Sequence, residues 1–351
     1  MQLRMGRARS DLTIVHYSDG SGTWASRGRR ILFASADDGP WRVVTRFPAV
    51  LPQDLFAAHR LPRRLLRSDK CNVRPTRTGR LLGLSGGVVY RLDPDSGSAP
   101  APLAKIEGDC VMNRAMAEDE DGNIYFGEYF MNSSRIPVRV WRVDPNLQNC
   151  ECVYRFDEPR ARHVHAIHAD PYRPSRLWIT MGDFENECYL GYTDDRFASM
   201  EFVGDGTQMW RSVGLIFGRD RIHWLTDTHI EQNRIVSMDR ATLQLSLHGE
   251  RTASSWYSAR TEEGIYLATT TVEPGPGIQT NHAHLLASQD AIHWSEVASF
   301  EKDSFPMQWG FGFGSLSLPS GRLSARGFWL SGEAVKGLDC RSVFCSLEAN
   351  A

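Results

Sequence analysis

One recurring pattern limits the fold of this chain more than any other feature. Residues 77–84, 120–127, 174–180, 219–226 and 262–269 each pass from a polar turn, often with glycine, into a short strand with a bulky residue at its centre. A looser sixth copy joins 319–321 to 327–330. Tyr125, Trp178, Trp224 and Tyr266 recur at intervals of about 40 to 55 residues, the spacing of β-propeller blades. A strand precedes each turn (114–117, 163–168, 211–217, 256–259). Third strands (138–143, 235–238, 284–288) and fourth strands (152–156, 294–300) follow.

The reading is therefore an all-β fold, a propeller of four-stranded antiparallel blades in a single domain spanning 1–351. Five units are complete. Residues 1–50 and 306–351 are expected to form one closing blade together, which removes the free sheet edge. That count gives six blades, or seven if 12–18 starts a blade of its own. Residues 51–71, with four arginines and a short helix within 52–67, read as a surface linker.

Composition removes several functions. The 351 residues carry 40 Lys+Arg against 42 Asp+Glu, a formal charge of -2, so no nucleic-acid partner is expected. No apolar run approaches the roughly 20 residues needed to cross a bilayer, so no membrane partner is expected either. The basic N-terminus lacks the apolar stretch of a secretory signal, which points to the cytoplasm. The seven scattered cysteines contain no CxxC pair and read as free thiols.

Ser35-Ala36-Asp37-Asp38-Gly39-Pro40-Trp41 resembles the Asp-box of sialidase-like (BNR repeat) propellers, one residue short before Trp41. Ser288-Gln289-Asp290-Ala291-Ile292-His293-Trp294 has the same shortened form, and Thr193-Asp194-Asp195-Arg196-Phe197 is a weaker echo. The stretch 121–227 is similar to bacterial proteins described as BNR-repeat or glycosyl-hydrolase-like. That resemblance implies a propeller fold, with structural Asp-boxes on the face away from the active site. Sialidase-like enzymes also use an arginine cluster, a Tyr–Glu nucleophile pair and an Asp acid. Matching residue types are Arg74, Arg114 and Arg211, Tyr129, Glu128 or Glu273, and Asp183 or Asp227. The departure is Arg135-Ile136-Pro137, which falls in mid-chain where the family places that motif early.

Blade geometry names the ligand face. Starts of first strands and ends of second strands meet around the pore, on the face opposite the turns that precede second strands. Starts of first strands supply Arg74, Arg114, His163, His165, Gln208, Trp210, Arg211, Trp256 and Trp309. Ends of second strands supply Glu128, Tyr129, Asp183, Asp227 and Glu273. Asp119 and its neighbours, on the other face, read as ordinary solvated residues. This mixture of Arg, His, carboxylates and aromatic platforms suits a carboxylated sugar.

The expected activity is carbohydrate-directed. The catalytic candidates are His163, His165, Glu128, Tyr129, Asp183 and Asp227. Arg114, Arg211, Gln208, Trp210, Arg74, Glu273 and Trp309 are the expected substrate contacts. Glycosidase-type hydrolysis would use a carboxyl pair. A polysaccharide lyase would use a His or Tyr base and an Arg clamp. A binding propeller, or a biosynthetic enzyme reusing the fold, is the non-degradative alternative. No cofactor is expected. The exception is a divalent metal at His163, His165 and Asp183, because residues two apart on a strand share a face.

Overall fold

The computed structural model describes the chain except for residues 37–38, 51–59, 157–161, 310–311 and 349–351. It is an all-β propeller of antiparallel sheets. Three of the sheets are Ala117–Glu118, Ile124–Gly127, Arg139–Val143 and Cys150–Arg155; Val164–Ala169, Leu177–Met181, Cys188–Thr193 and Glu201–Gly206; and Ile216–Phe217, Arg221–Leu225, Asn233–Asp239 and Leu245–Arg251. A fourth runs from Cys71–Pro75 through Leu81–Ser85 and Val88–Leu92 to Ala101–Lys105.

The termini are arranged differently from the single closing blade expected. Ile14–Ser18, Thr23–Arg27, Arg30–Ala34 and Arg42–Arg46 form a sheet of their own, with Ser320–Gly321 added in parallel at one edge. Gln2–Met5 crosses to the C-terminus, where it pairs with Arg341–Glu348 in register Gln2 to Glu348, and Arg9 bridges to Ser342 beyond it. That sheet has eight strands, because Val272 and Thr271 pair with Gly314 and Ser315 and link two four-stranded halves. Strand pairing among the described residues thus gives seven four-stranded units. They are called blades 1 to 7 below, in the order of their inner strands.

The repeat is legible in the turns. Gly79, Gly122 and Gly264 occupy the same place in three blades, with φ of 78°, 85° and 85°. This left-handed conformation suits glycine because it has no Cβ. Tyr125, Trp178 and Trp224 are buried, and buried polar groups fix the first two. Tyr125 donates its hydroxyl to Asp119 Oδ2 at 3.0 Å, and Trp178 donates Nε1–H to Asp170 Oδ2 at 3.0 Å. Asp119 is therefore not the solvated residue expected. It is 4% exposed and also accepts the amides of Asp121 and Asn123.

The turn at Ser288–Trp294 is held by its own side chains. Asp290 Oδ1 accepts the amides of Ile292 and His293, while Ser288 Oγ accepts that of Ala291. In the Ser35–Trp41 turn, Asp37 and Asp38 lie outside the described residues.

The helix Arg60–Leu65 and the chain leading to Lys70 do not lie loosely on the surface. Arg64 is 7% exposed and pairs with Asp303 and Asp339. Arg67 meets Asp109 at 2.8 Å, and Lys70 pairs with Glu333. The segment thereby forms part of a wall over the pore. Residues 52–59 of the expected helix lie outside the described residues.

Close packing between blades 3 and 4 positions the site described next. A Cβ added at Gly127 would lie 2.3 Å from Val164 Cβ. Gly127→Ala is expected to cost about 1–3 kcal/mol through overpacking. Urea unfolding would measure it, and an unchanged midpoint would show that the interface has slack.

Candidate functional site

Four consecutive blades send polar side chains to one centre. Blade 4 supplies His163 and His165 at the start of its first strand, and Asp183 just past the end of its second. Blade 5 supplies Arg211 and Asp227, blade 6 supplies Trp256 and Glu273, and blade 3 supplies Tyr129. The expected first strand over 211–217 is confined to Ile216–Phe217, and Gln208–Trp210 form a short 3-10 turn. A β-bulge falls at His165: Val164 pairs with Met181 and Ala166 with Thr180. The extra residue lets both imidazoles reach one carboxylate while Val164 stays in the blade core.

Asp183 is the hub. His165 Nε2 lies 3.2 Å from its Oδ1 and His163 Nε2 lies 3.4 Å from its Oδ2. Arg162 Nη1 donates to Oδ2 at 2.9 Å, and Arg211 Nη2 approaches Oδ1 at 3.1 Å. Arg211 also donates to the Asp183 carbonyl at 2.9 Å and places Nε 3.4 Å from Asp227 Oδ2. Trp256 donates Nε1–H to Asp227 Oδ1 at 2.9 Å, and Ser254 donates to Glu273. Gln208 donates its amide to the Asp183 carbonyl at 3.3 Å. All these carboxyl groups are buried.

The shared environment drives their protonation apart. Burial alone would raise Asp183, but His163, His165 and Arg211 hold it well below the ordinary carboxylate range. Burial raises Asp227 well above that range, and Glu273 and Asp183 add to the effect against Arg211. Glu273 is raised by burial and by Asp183. Burial, then the same three carboxyl groups, raise Tyr129, so its phenol stays protonated. Burial lowers His165. One carboxylate held toward its ionised form thus sits among carboxyls pushed toward their protonated forms and an imidazole pushed toward its neutral form, a division that suits acid–base chemistry.

A cavity of about 620 Å³ opens above this centre. Tyr129, His163 and Trp256 line it, as do Arg63, Arg67, Asp69 and Lys70, and Met112, Met131, Phe130 and Phe313 add apolar lining. Asp183, Asp227 and Glu273 are not among the described residues that line it. Tyr129 stacks near His163, with ring centroids 4.3 Å apart.

Several expected site residues are occupied elsewhere. Glu128 has no exposed surface and accepts the amides of Glu107 and Arg139 and the Trp141 indole, so it pins blade 3 and faces no ligand. Trp210 packs on Trp224, with centroids 5.9 Å apart, as blade core. Arg74 donates to the Met116 carbonyl and approaches Glu118, bridging blades 2 and 3. Arg114 reaches across the pore to the Pro319 carbonyl, and burial lowers it to about 10. Trp309 is exposed and is not among the residues lining the cavity.

Sequence reasoning missed Arg162 and the 63–70 wall. Arg162 directly precedes His163, and the cluster of arginines in 60–67 was the signal for the wall.

No protein-family model matches the chain, and no curated protein sequence matches it. Solved structures do. YCF48 bound to a D1 peptide aligns over all of this chain and 96% of its own at 9% identity and TM-score 0.56. A chain of a mitotic checkpoint complex aligns over 99% and 94% at 12% identity and TM-score 0.55. The AfRom2 CNH domain aligns over 100% and 99% at 10% identity and TM-score 0.54. At such identities the likeness concerns the fold alone. Among the described residues no helix is long and apolar enough to cross a membrane.

Asp69, on the cavity wall, gives a pH test. Burial pushes its carboxyl up to about 6, against Arg63 and Lys70. An unfolded Asp titrates near about 3.9, so folding favours the protonated form. Its contribution is present below about pH 4 and is lost as pH rises through about 6. Asp69→Asn is expected to flatten the stability profile over that window and to be about 1–3 kcal/mol more stable than wild type at pH 7. Denaturant titrations at several pH values would measure this, and an unchanged slope would contradict the burial argument.

Proposed function

We propose that the protein acts on a carboxylated sugar or glycan held in the 620 Å³ cavity, by acid–base chemistry centred on His163, His165 and Asp183. The observation that carries this reading is the meeting of the cavity lining with the charge cluster. His163 belongs to both, and Trp256 presents an aromatic face to the cavity while its indole holds Asp227. The basic groups of 63–70 suit a carboxylate, and an aromatic face suits a sugar ring.

Elimination fits the geometry better than hydrolysis. A glycosidase needs two carboxyl groups beside the scissile bond. Asp183, Asp227 and Glu273 do not line the cavity, and the carboxyls that do, Asp69, Asp109 and Glu333, are paired with Arg63, Arg67 and Lys70. In elimination, a base at the His163–His165–Asp183 centre takes the proton on the carbon next to the sugar carboxylate. The C–H electrons become the new C=C bond, and the neighbouring C–O bond breaks. The leaving oxygen takes a proton from the Tyr129 phenol, which burial and the neighbouring carboxyls keep protonated.

The test is incubation with polyuronate and nonulosonate glycans. Ultraviolet absorbance of the conjugated double bond would be followed alongside release of reducing ends. Wild type is expected to generate the absorbance. Removing the base with His163→Ala should lower kcat by about 100-fold or more. Trp256→Ala should act mainly on KM. Reducing ends without absorbance would favour hydrolysis, and no change to any glycan would sink the enzymatic reading.

A further inference from the structure

The two histidines carry a feature that the acid–base reading leaves unused. His163 Nδ1 lies 2.9 Å from the Phe130 carbonyl, and His165 Nδ1 lies 3.0 Å from the Ser212 carbonyl. A carbonyl only accepts, so each Nδ1 carries the proton. With Nδ1 so occupied, both Nε2 atoms are aimed at the Asp183 carboxylate. An Nε2 without a proton would face that carboxylate lone pair to lone pair, so a positive species, a proton or a metal ion, belongs between them. His163 Nε2 is fully buried and has no hydrogen-bond partner.

We propose that His163 Nε2, His165 Nε2 and an Asp183 oxygen bind one divalent transition-metal ion. These ligand atoms all lie within 4.8 Å of one another. Metal–ligand bonds of about 2.1 Å set tetrahedral ligands about 3.4 Å apart, close to the 3.4 and 3.2 Å that separate the two imidazole nitrogens from Asp183. Histidine ligands at such sites usually donate their other N–H to a backbone carbonyl or carboxylate, because that bond fixes tautomer and ring orientation. Here both ligands have it, one from blade 3 and one from blade 5.

Ligand type and access agree. Two imidazoles and one carboxylate suit zinc, manganese, cobalt or iron(II) and disfavour calcium and magnesium, which prefer oxygen. Three protein ligands leave positions for water or substrate, and His163 lines the cavity from which either would arrive. An ion there would neutralise a substrate carboxylate or lower the pKa of a bound water to serve as the base. That role rests on the elimination reading; binding of the ion does not, and it has its own readout.

The full-length protein would be stripped with a chelator, dialysed, and titrated with CoCl2 and ZnCl2 under calorimetry and visible absorption. Wild type is expected to take up one ion per chain, with ligand-field bands from cobalt. His163→Gln and His165→Gln should each weaken binding by about 100-fold or more. A His282→Gln/His284→Gln double variant, which removes another i,i+2 histidine pair on a strand, should bind like wild type. No stoichiometric uptake by wild type, uptake unchanged in both site variants, or loss in the 282/284 variant would overturn the proposal. Cobalt binding without turnover of any acidic glycan would leave the metal site standing and remove the functional reading. Full turnover after complete metal removal would do the reverse to the metal's catalytic part.

Discussion

The buried charge of Asp183 governs this face of the propeller. A carboxylate withdrawn from water is costly unless charged partners and hydrogen bonds replace the lost solvent. Arg162, Arg211, His163 and His165 supply those partners. The imidazoles are in turn held from other blades by the Phe130 and Ser212 carbonyls, and Asp227 of blade 5 shares Arg211. Blades 3 to 6 therefore meet through polar contacts here, whereas nearer the rim they meet through apolar packing. The polar arrangement works only as a set, because removing one member strands the others.

The same set explains why the site divides into two layers. Asp183, Asp227 and Glu273 stay off the cavity lining, and an imidazole, a phenol and an indole face the cavity. A buried, protonated Asp227 cannot attack a ligand, but it can hold Trp256 in place through the indole N–H. Asp183 can keep two imidazoles poised at their Nε2 atoms. Chemistry on a ligand then falls to whatever the imidazoles carry, whether a lone pair or a metal ion.

Much of this was legible in the sequence, and the failures have physical causes. The polar turn feeding a bulky strand centre recurs because each blade needs the same left-handed turn and the same interblade wedge, so Gly122, Tyr125 and Trp178 were readable. The face assignment brought His163, His165, Asp183, Arg211, Asp227 and Glu273 together because strand direction alone decides it. Residue type could not separate a ligand contact from a brace. Glu128 looked like an acid, yet three donors use its oxygens. Trp210 looked like a platform, yet it fills a gap beside Trp224. The 63–70 wall was read as linker because its order comes from ion pairs to Asp109, Asp303, Glu333 and Asp339, which are distant in sequence.

The interdependence around Asp183 is the central claim, and a double-mutant cycle tests it most directly. Asp183→Asn, Arg211→Gln and the double variant would be compared by urea unfolding. Each single change is expected to cost about 3–5 kcal/mol, because it leaves a buried charge without its partner. The double variant should cost little more than either, a coupling of about 2 kcal/mol or more. Losses that simply add would show that Asp183 and Arg211 act independently, and would contradict the account.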